Sequence, residues 1–155
     1  MTSHVPPPRL WTPAGFAADG WQDEPVLPLA DFLASASGHA VRLAAGEVLE
    51  PLLPRLDALA LIVLEFPAYT DGRAYSKAEV LRRLGYADRI RASGDVLIDQ
   101  IAHMLRTGFD ELEISHPLAL ARLESGSHPA FPGYCQPSAR TLPQAGTWSW
   151  RRLPA

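Results

Sequence analysis

FPAYTDGRAYSKAEVLRRLGYADRIRASGDVLIDQIAHMLRTG, residues 66–108, decides the fold. Two polar loops lie in it, Thr70-Asp71-Gly72-Arg73 and Ser93-Gly94-Asp95. Each follows an apolar run, Leu59–Phe66 or Ile90–Ala92, and each opens a stretch of helical periodicity. That order, strand then loop then helix, occurs twice. Strands separated by helices of this length predict right-handed βαβ units and a parallel sheet. In open parallel sheets ligands collect at the carboxyl ends of the strands, so a site is expected where these two loops lie.

Working outward, Leu59–Phe66 (LALIVLEF) is apolar almost throughout, as expected of a strand buried on both faces, with Glu65 the exception. Pro67 cannot donate to a ladder and stops it. Ser76-x-x-Glu79 has the form of a capping box, and Gly85 is placed to end the helix that follows at about Leu84. Val96, Leu97, Ile101 and Leu105 form the apolar face of a helix that Gly108 stops. Glu111–Ile114 reads as a strand and Leu118–Glu124 as a short helix ending near Gly126. Before the central stretch, Val26–Leu29 and Ala40–Leu43 are short strand candidates and Leu29–Ser35 a short helix. Gly46–Leu56 carries one helical face but includes Pro51, which is tolerated only in a first turn. The expectation is an α/β fold: a single domain with a roughly five-stranded, mostly parallel sheet and flanking helices on its faces. An incomplete β/α barrel is the alternative architecture.

The chain has 155 residues, 47% of them hydrophobic, which suits one domain with a substantial core. Its formal charge of −3, with Arg interleaved among Asp and Glu, gives no footprint for nucleic acid. Cys135 is the only cysteine, which rules out an internal disulfide and fits a reducing cytoplasm. The longest apolar run, Ala58–Leu64, is far shorter than a membrane helix requires. The start, MTSHVPPPRLW, has no signal-peptide pattern. A cytoplasmic protein is expected. Most of the fifteen prolines lie near the ends, so residues 1–20 read as an arm and 127–155 as a proline-rich tail around an α/β domain of 21–126. The arm either folds back through Trp11 and Trp21 or stays mobile.

The chemistry the loops offer has two readings at each point. Arg73 could hold an oxyanion with Gly72 letting the backbone approach, or Asp71 and Arg73 could simply pin the loop. Ser93-Gly94-Asp95 offers backbone N–H groups to an anion, or Asp95 serves as an N-cap. Asp95 and Asp99, four apart, could share a proton or bind a metal, or could favour a helix start, with Arg91 and Arg106 neutralising them. The five histidines and single cysteine show no metal-ligand spacing, and no nucleotide fingerprint occurs. No metal and no cofactor is expected. Trp148-Ser149-Trp150-Arg151-Arg152 ends the tail with residues typical of interface hot spots, suited to a partner, a twin subunit or the domain itself.

FPAYTDGRAYS, LRRLGY, IRASGDVLIDQ, MLRTGFDELE and Tyr134-Cys135-Gln136-Pro137 occur in this order, and together they resemble the bacterial family called domain of unknown function 934. The resemblance spans roughly Leu27–Pro137. Members are commonly encoded beside assimilatory sulfite reductase. The resemblance thus implies a role in sulfite reduction, as an accessory protein that binds the reductase or its electron donor. The alternatives are a small oxidoreductase or anion-binding enzyme of the same pathway, or a homodimeric regulator that senses a sulfur metabolite. By motif it points to Asp71, Gly72, Arg73, Tyr75 and Ser76, then Arg91, Gly94, Asp95, Asp99 and Gln100, and in the tail Tyr134 and Gln136. The family usually carries a second aromatic where this chain has Cys135.

Overall fold

The computed structural model describes residues 7–21, 24–35 and 37–127. The tail motif with Tyr134 and Gln136, and the Trp148–Arg152 segment, lie outside the described residues. Among the described residues seven strands form one sheet: β1 (Arg9–Thr12), β2 (Gly15–Phe16), β3 (Leu27–Pro28), β4 (Ala40–Leu43), β5 (Leu61–Phe66), β6 (Arg89–Gly94) and β7 (Glu111–Ile114). The spatial order is β2-β1-β7-β6-β5-β4-β3. β3 to β7 run parallel in chain order. β1 lies antiparallel on β7 and turns back as β2. The helices are α1 (Leu29–Ala34), α2 (Arg73–Arg83), α3 (Ile101–Thr107) and α4 (Pro117–Glu124). The sheet is not closed into a barrel, and the arrangement is that of an incomplete β/α barrel. The expected five strands become seven because the arm supplies two, which were hidden among its prolines and glycines.

A correction concerns the layers. The helices do not flank both faces. Parallel neighbours taken in strict chain order, with right-handed crossovers, put every connection on the same side. The core shows this: Phe32, Leu52, Ala78, Leu81, Ile101, Met104 and Leu123 cluster with Val41, Leu43, Ile62, Leu64, Phe66, Ile90, Ala92 and Leu112. The strand residues are alternate ones, as the pleat requires. Their neighbours Ala40, Leu61 and Val63 form a separate cluster under Trp21 and Val26. β5 is therefore buried on both faces as expected, but by helices on one and by Trp21 and Val26 on the other.

Local signals set most element ends. Gly85 follows α2 with φ of +92°, and the Tyr86 N–H reaches back to the Leu81 carbonyl. This closes the helix as a left-handed glycine cap does. Helical expectations fail at three places, and Val96 and Leu97, expected on a helical face, precede the 3-10 turn that opens α3. Ser76 lies inside α2, so it caps nothing; the helix starts earlier, where the Asp71 carboxylate accepts the Arg73 N–H at 3.1 Å. The stretch read as a helix over Gly46–Leu56 is a 3-10 segment, Glu50–Ala58. Pro51 and Pro54 each lack an N–H, which weakens α-type bonding there. Arg55 on this segment donates to the Phe32 and Ser35 carbonyls at 3.1 and 2.8 Å, closing the end of α1. Among the described residues no helix is long and apolar enough to cross a membrane.

Candidate functional site

The helix-free face changes character along the strands. At its amino end Ala40 and Leu61 are apolar, with Arg89 beside Leu61. Toward its carboxyl end polar and charged side chains predominate: Arg42 on β4, Glu65 on β5, Arg91 and Ser93 on β6, Glu111 and Glu113 on β7. Register places Arg42, Val63, Arg91 and Glu111 in one row, and Glu65 and Ser93 in the next. Leu10 of β1 stands opposite Glu113.

Arg91 is the centre of this face. Its side chain is 3% exposed. It donates to both oxygens of Asp19 at 2.8 and 2.7 Å, to Glu111 at 2.9 Å, and to Glu113 at 3.4 Å. Burial works against its charge, but the hydrogen bonds to Asp19 and Glu111 outweigh it, and the pKa rises further. The hydrogen bond from Arg91 holds the Asp19 carboxyl below the usual value, against the opposing effect of burial. Arg89 shares Glu111 and lies over the Trp21 ring at 5.2 Å. Ser93 donates its hydroxyl to Glu113. Nearer solvent, Arg42 donates to Glu65 at 3.2 Å.

Between this face and the folded-back arm lies a cavity of about 620 Å³, lined among others by Leu10, Phe16, Ala17, Asp19, Arg42 and Glu113. β4 and β1 are four strand spacings apart, roughly 19 Å along a flat sheet. Both border this cavity, so the sheet curls toward its helix-free side. The volume lies within the range of small-molecule pockets, and the wall combines apolar groups with convergent charges of both signs. In β/α barrels the corresponding end of the strands carries the chemistry. Among the described residues, no group of three His, Cys, Asp or Glu side chains is arranged to hold a metal ion.

The residues expected from sequence lie mainly in the loops at the same end, and those loops do meet. The Asp95 carboxylate accepts the Tyr69 N–H at 3.0 Å, and Gln100 donates to the Tyr69 carbonyl at 2.6 Å. Asp95 is thus a clasp between loops, not the N-cap of the following helix, which begins with a 3-10 turn at Ile98. Asp99 is exposed, and Asp95 lies outside the helix, so the two do not share a helical face. Arg91 faces Asp19, Glu111 and Glu113 rather than neutralising the Asp95 and Asp99 pair. Arg106 lies against His103 at 2.9 Å. Ser76 and Gly72 are exposed. Tyr75 packs among Phe66, His103 and Phe109, with centroids 5.1, 4.5 and 6.2 Å away. Its hydroxyl is buried without a hydrogen-bond partner among the described residues, and burial pushes its pKa up to about 12. Gly94 lies where β6 passes tightly over Phe66.

Asp71 and Arg73 bind each other. The Arg73 Nε donates to both Asp71 oxygens at 2.9 and 3.2 Å. That side-chain contact, joined by the Arg73 backbone N–H, lowers the Asp71 pKa to about 2. Carboxyl NMR should therefore find Asp71 titrating near 2, and Arg73→Ala should return it toward 3.8. A titration already at the ordinary value in the parent protein would mean that the pair does not persist in solution.

Arg42, Glu111, Glu113 and Asp19 escape a reading of the sequence, and Glu65 stands out there only as a charged interruption, not as part of a site. The signal was present in four strands: AVRL, LIVLEF, RIRASG and ELEI each carry charge at one parity. In a sheet that parity is one face. Only the strand order shows that these faces adjoin.

Residues 40–144 match the profile of a family described as bacterial protein of unknown function (DUF934). The match takes in Arg42, Glu65, Arg91, Ser93, Glu111 and Glu113, while Leu10, Phe16 and Asp19 precede it. No curated protein and no solved structure matches the chain.

Proposed function

We propose that this chain, which belongs to the DUF934 family of bacterial proteins, is a small-ligand-binding domain serving sulfite reduction. Its ligand occupies the cavity on the helix-free face. The observation that carries the reading is the 620 Å³ cavity at the carboxyl ends of the strands, where Arg42, Asp19 and Glu113 converge beside Leu10. A surface used only for docking needs no such concave, charged volume. The pathway is supported by the FPAYTDGRAYS and IRASGDVLIDQ blocks, which resemble members encoded beside the reductase. Contact with sulfite reductase or its electron donor then delivers or withdraws the ligand.

The test is complementation of a strain lacking the gene, grown on sulfate, sulfite or sulfide as sole sulfur source. We expect growth on sulfide only, rescue by the parent chain, and no rescue by Ala17→Trp. Ala17 is exposed at the cavity wall, so this change fills the opening without disturbing the core. Its melting temperature should match the parent's. Normal growth of the deletion strain on all three sources would remove the pathway. Full rescue by Ala17→Trp would remove the cavity as the working site.

A further inference from the structure

The charges around the cavity are segregated. On the β6–β7 side, Arg91 faces three carboxylates, Asp19, Glu111 and Glu113, and Arg89, paired with Glu111 and also acting on Asp19, adds one positive charge. That side is left with an excess of one negative charge. Asp19 already accepts three hydrogen bonds, two from Arg91 and one from the Trp21 N–H. Glu113 has the weaker hold, one hydroxyl from Ser93 and a 3.4 Å contact with Arg91. A carboxylate offers about four acceptor positions, so Glu113 retains room for a donor from the cavity. On the β4 side, Arg42 makes one contact, at 3.2 Å, with a Glu65 that is itself over a third exposed. Its remaining guanidinium N–H groups have no partner among the described residues, and a guanidinium fork favours an oxyanion. Arg9, also at the wall, is engaged by Glu124 and lies over Phe16.

Resting on the cavity reading above, we infer that the ligand is a small dipolar metabolite, with an ammonium group held at Glu113 and a carboxylate or sulfonate held at Arg42. β4 and β7 are three strand spacings apart, roughly 14 Å before the sheet curls. The two side chains close much of that gap and leave a short span between the bound charges. The ligand is therefore one whose charges are separated by a short carbon chain, an ω-amino acid or ω-amino sulfonate, rather than one with both charges on a single carbon. A simple anion would satisfy Arg42 and leave the excess charge at Glu113 uncompensated. A simple amine would do the reverse.

Calorimetric titration of the full chain tests this with taurine and 4-aminobutyrate, with glycine, and with methanesulfonate, sulfite, acetate and ethylamine, which each lack one of the two charges. Taurine or 4-aminobutyrate should bind roughly 10- to 100-fold more tightly than any single-charge probe, the loss expected for one charged hydrogen-bonding partner. Arg42→Met should weaken the dipolar probes and the anions alike, leaving ethylamine unchanged. Glu113→Gln should weaken the dipolar probes and ethylamine, leaving the anions unchanged. Should Glu113→Gln perturb folding, the single-charge probes on the parent chain make the same comparison without a variant. Sulfite or acetate binding as tightly as taurine, with no effect of Glu113→Gln, would overturn the dipolar ligand while the cavity stands. Silence of every probe would also overturn it, and the growth test with Ala17→Trp then decides separately whether the cavity works.

Discussion

Arg91→Met is expected to lower folding stability by about 3–5 kcal/mol, the cost of removing one partner from a buried ion pair. The size follows from what remains. Glu111 and Glu113 stay on β7 beneath the arm, their side chains 9% and 18% exposed, with their principal counter-charge gone. Asp19 loses both of its bonds to Arg91, a side-chain tie that adds to the backbone pairing of β1 with β7. Methionine fills much of the arginine's volume, so the loss reads charge rather than a cavity. Urea denaturation gives the number, and a loss below about 1 kcal/mol would show that the network is solvated and not structural. Adding Glu111→Leu to Arg91→Met should recover part of the loss, since the isolated carboxylate carries much of the cost. The acid limb of stability checks the same network. The folded pKa of Asp19 lies below its ordinary value of 3.8. Its contribution is present above that value and fades as pH falls through the lower, folded pKa. In Arg91→Met that fading is lost, because the hydrogen bond that depresses the pKa is gone.

Gly94→Ala should cost about 2–5 kcal/mol, combining backbone strain with overlap in a packed region. Gly94 has φ of +104°, where an L side chain is strained. A Cβ there would sit 2.3 Å from the Phe66 carbonyl oxygen and 3.0 Å from its carbon. Both are backbone atoms of β5 at the register pair Phe66–Gly94, so nothing can swing aside. The same carbonyl accepts the Asp95 N–H at 2.8 Å, and Asp95 in turn holds Tyr69. Gly94→Ala therefore unsettles the junction of both loops along with the end of the sheet. Thermal unfolding measures it, and a melting temperature equal to the parent's would show that the close approach relaxes at no cost. Gly94, which in sequence belongs to a stretch offering backbone N–H groups to an anion, is instead the place where two strands of its own chain meet as a loop begins.

The elements themselves were legible because their signals are local. Hydrophobic spacing marked β4, β5, β7, α3 and α4, and Gly85 and Gly108 stopped their helices through backbone freedom that needs no distant contact. The two loops after β5 and β6 were legible for the same reason. Where competing local chemistry existed, the reading slipped. Ser76 looked like a cap, but Asp71 reaches the helix start first. Pro51 and Pro54 tightened an amphipathic stretch into 3-10 form.

By itself the sequence determined a chain of alternating strands and helices, and with Glu65 it marked one charged interruption in a buried strand. What only the tertiary structure decided was sidedness. A strand's residues alternate between two faces whatever its neighbours are, but which face receives the helices depends on the order and direction of all the strands together. Here β3 to β7 lie side by side in chain order, so every helix falls on one side and the other is left to the arm. That is how Asp19 comes to meet Arg91, 72 residues away, and why Arg42 of β4 and Glu113 of β7 line one cavity. No local propensity encodes such a meeting, because it is fixed by how the whole sheet buries its apolar side.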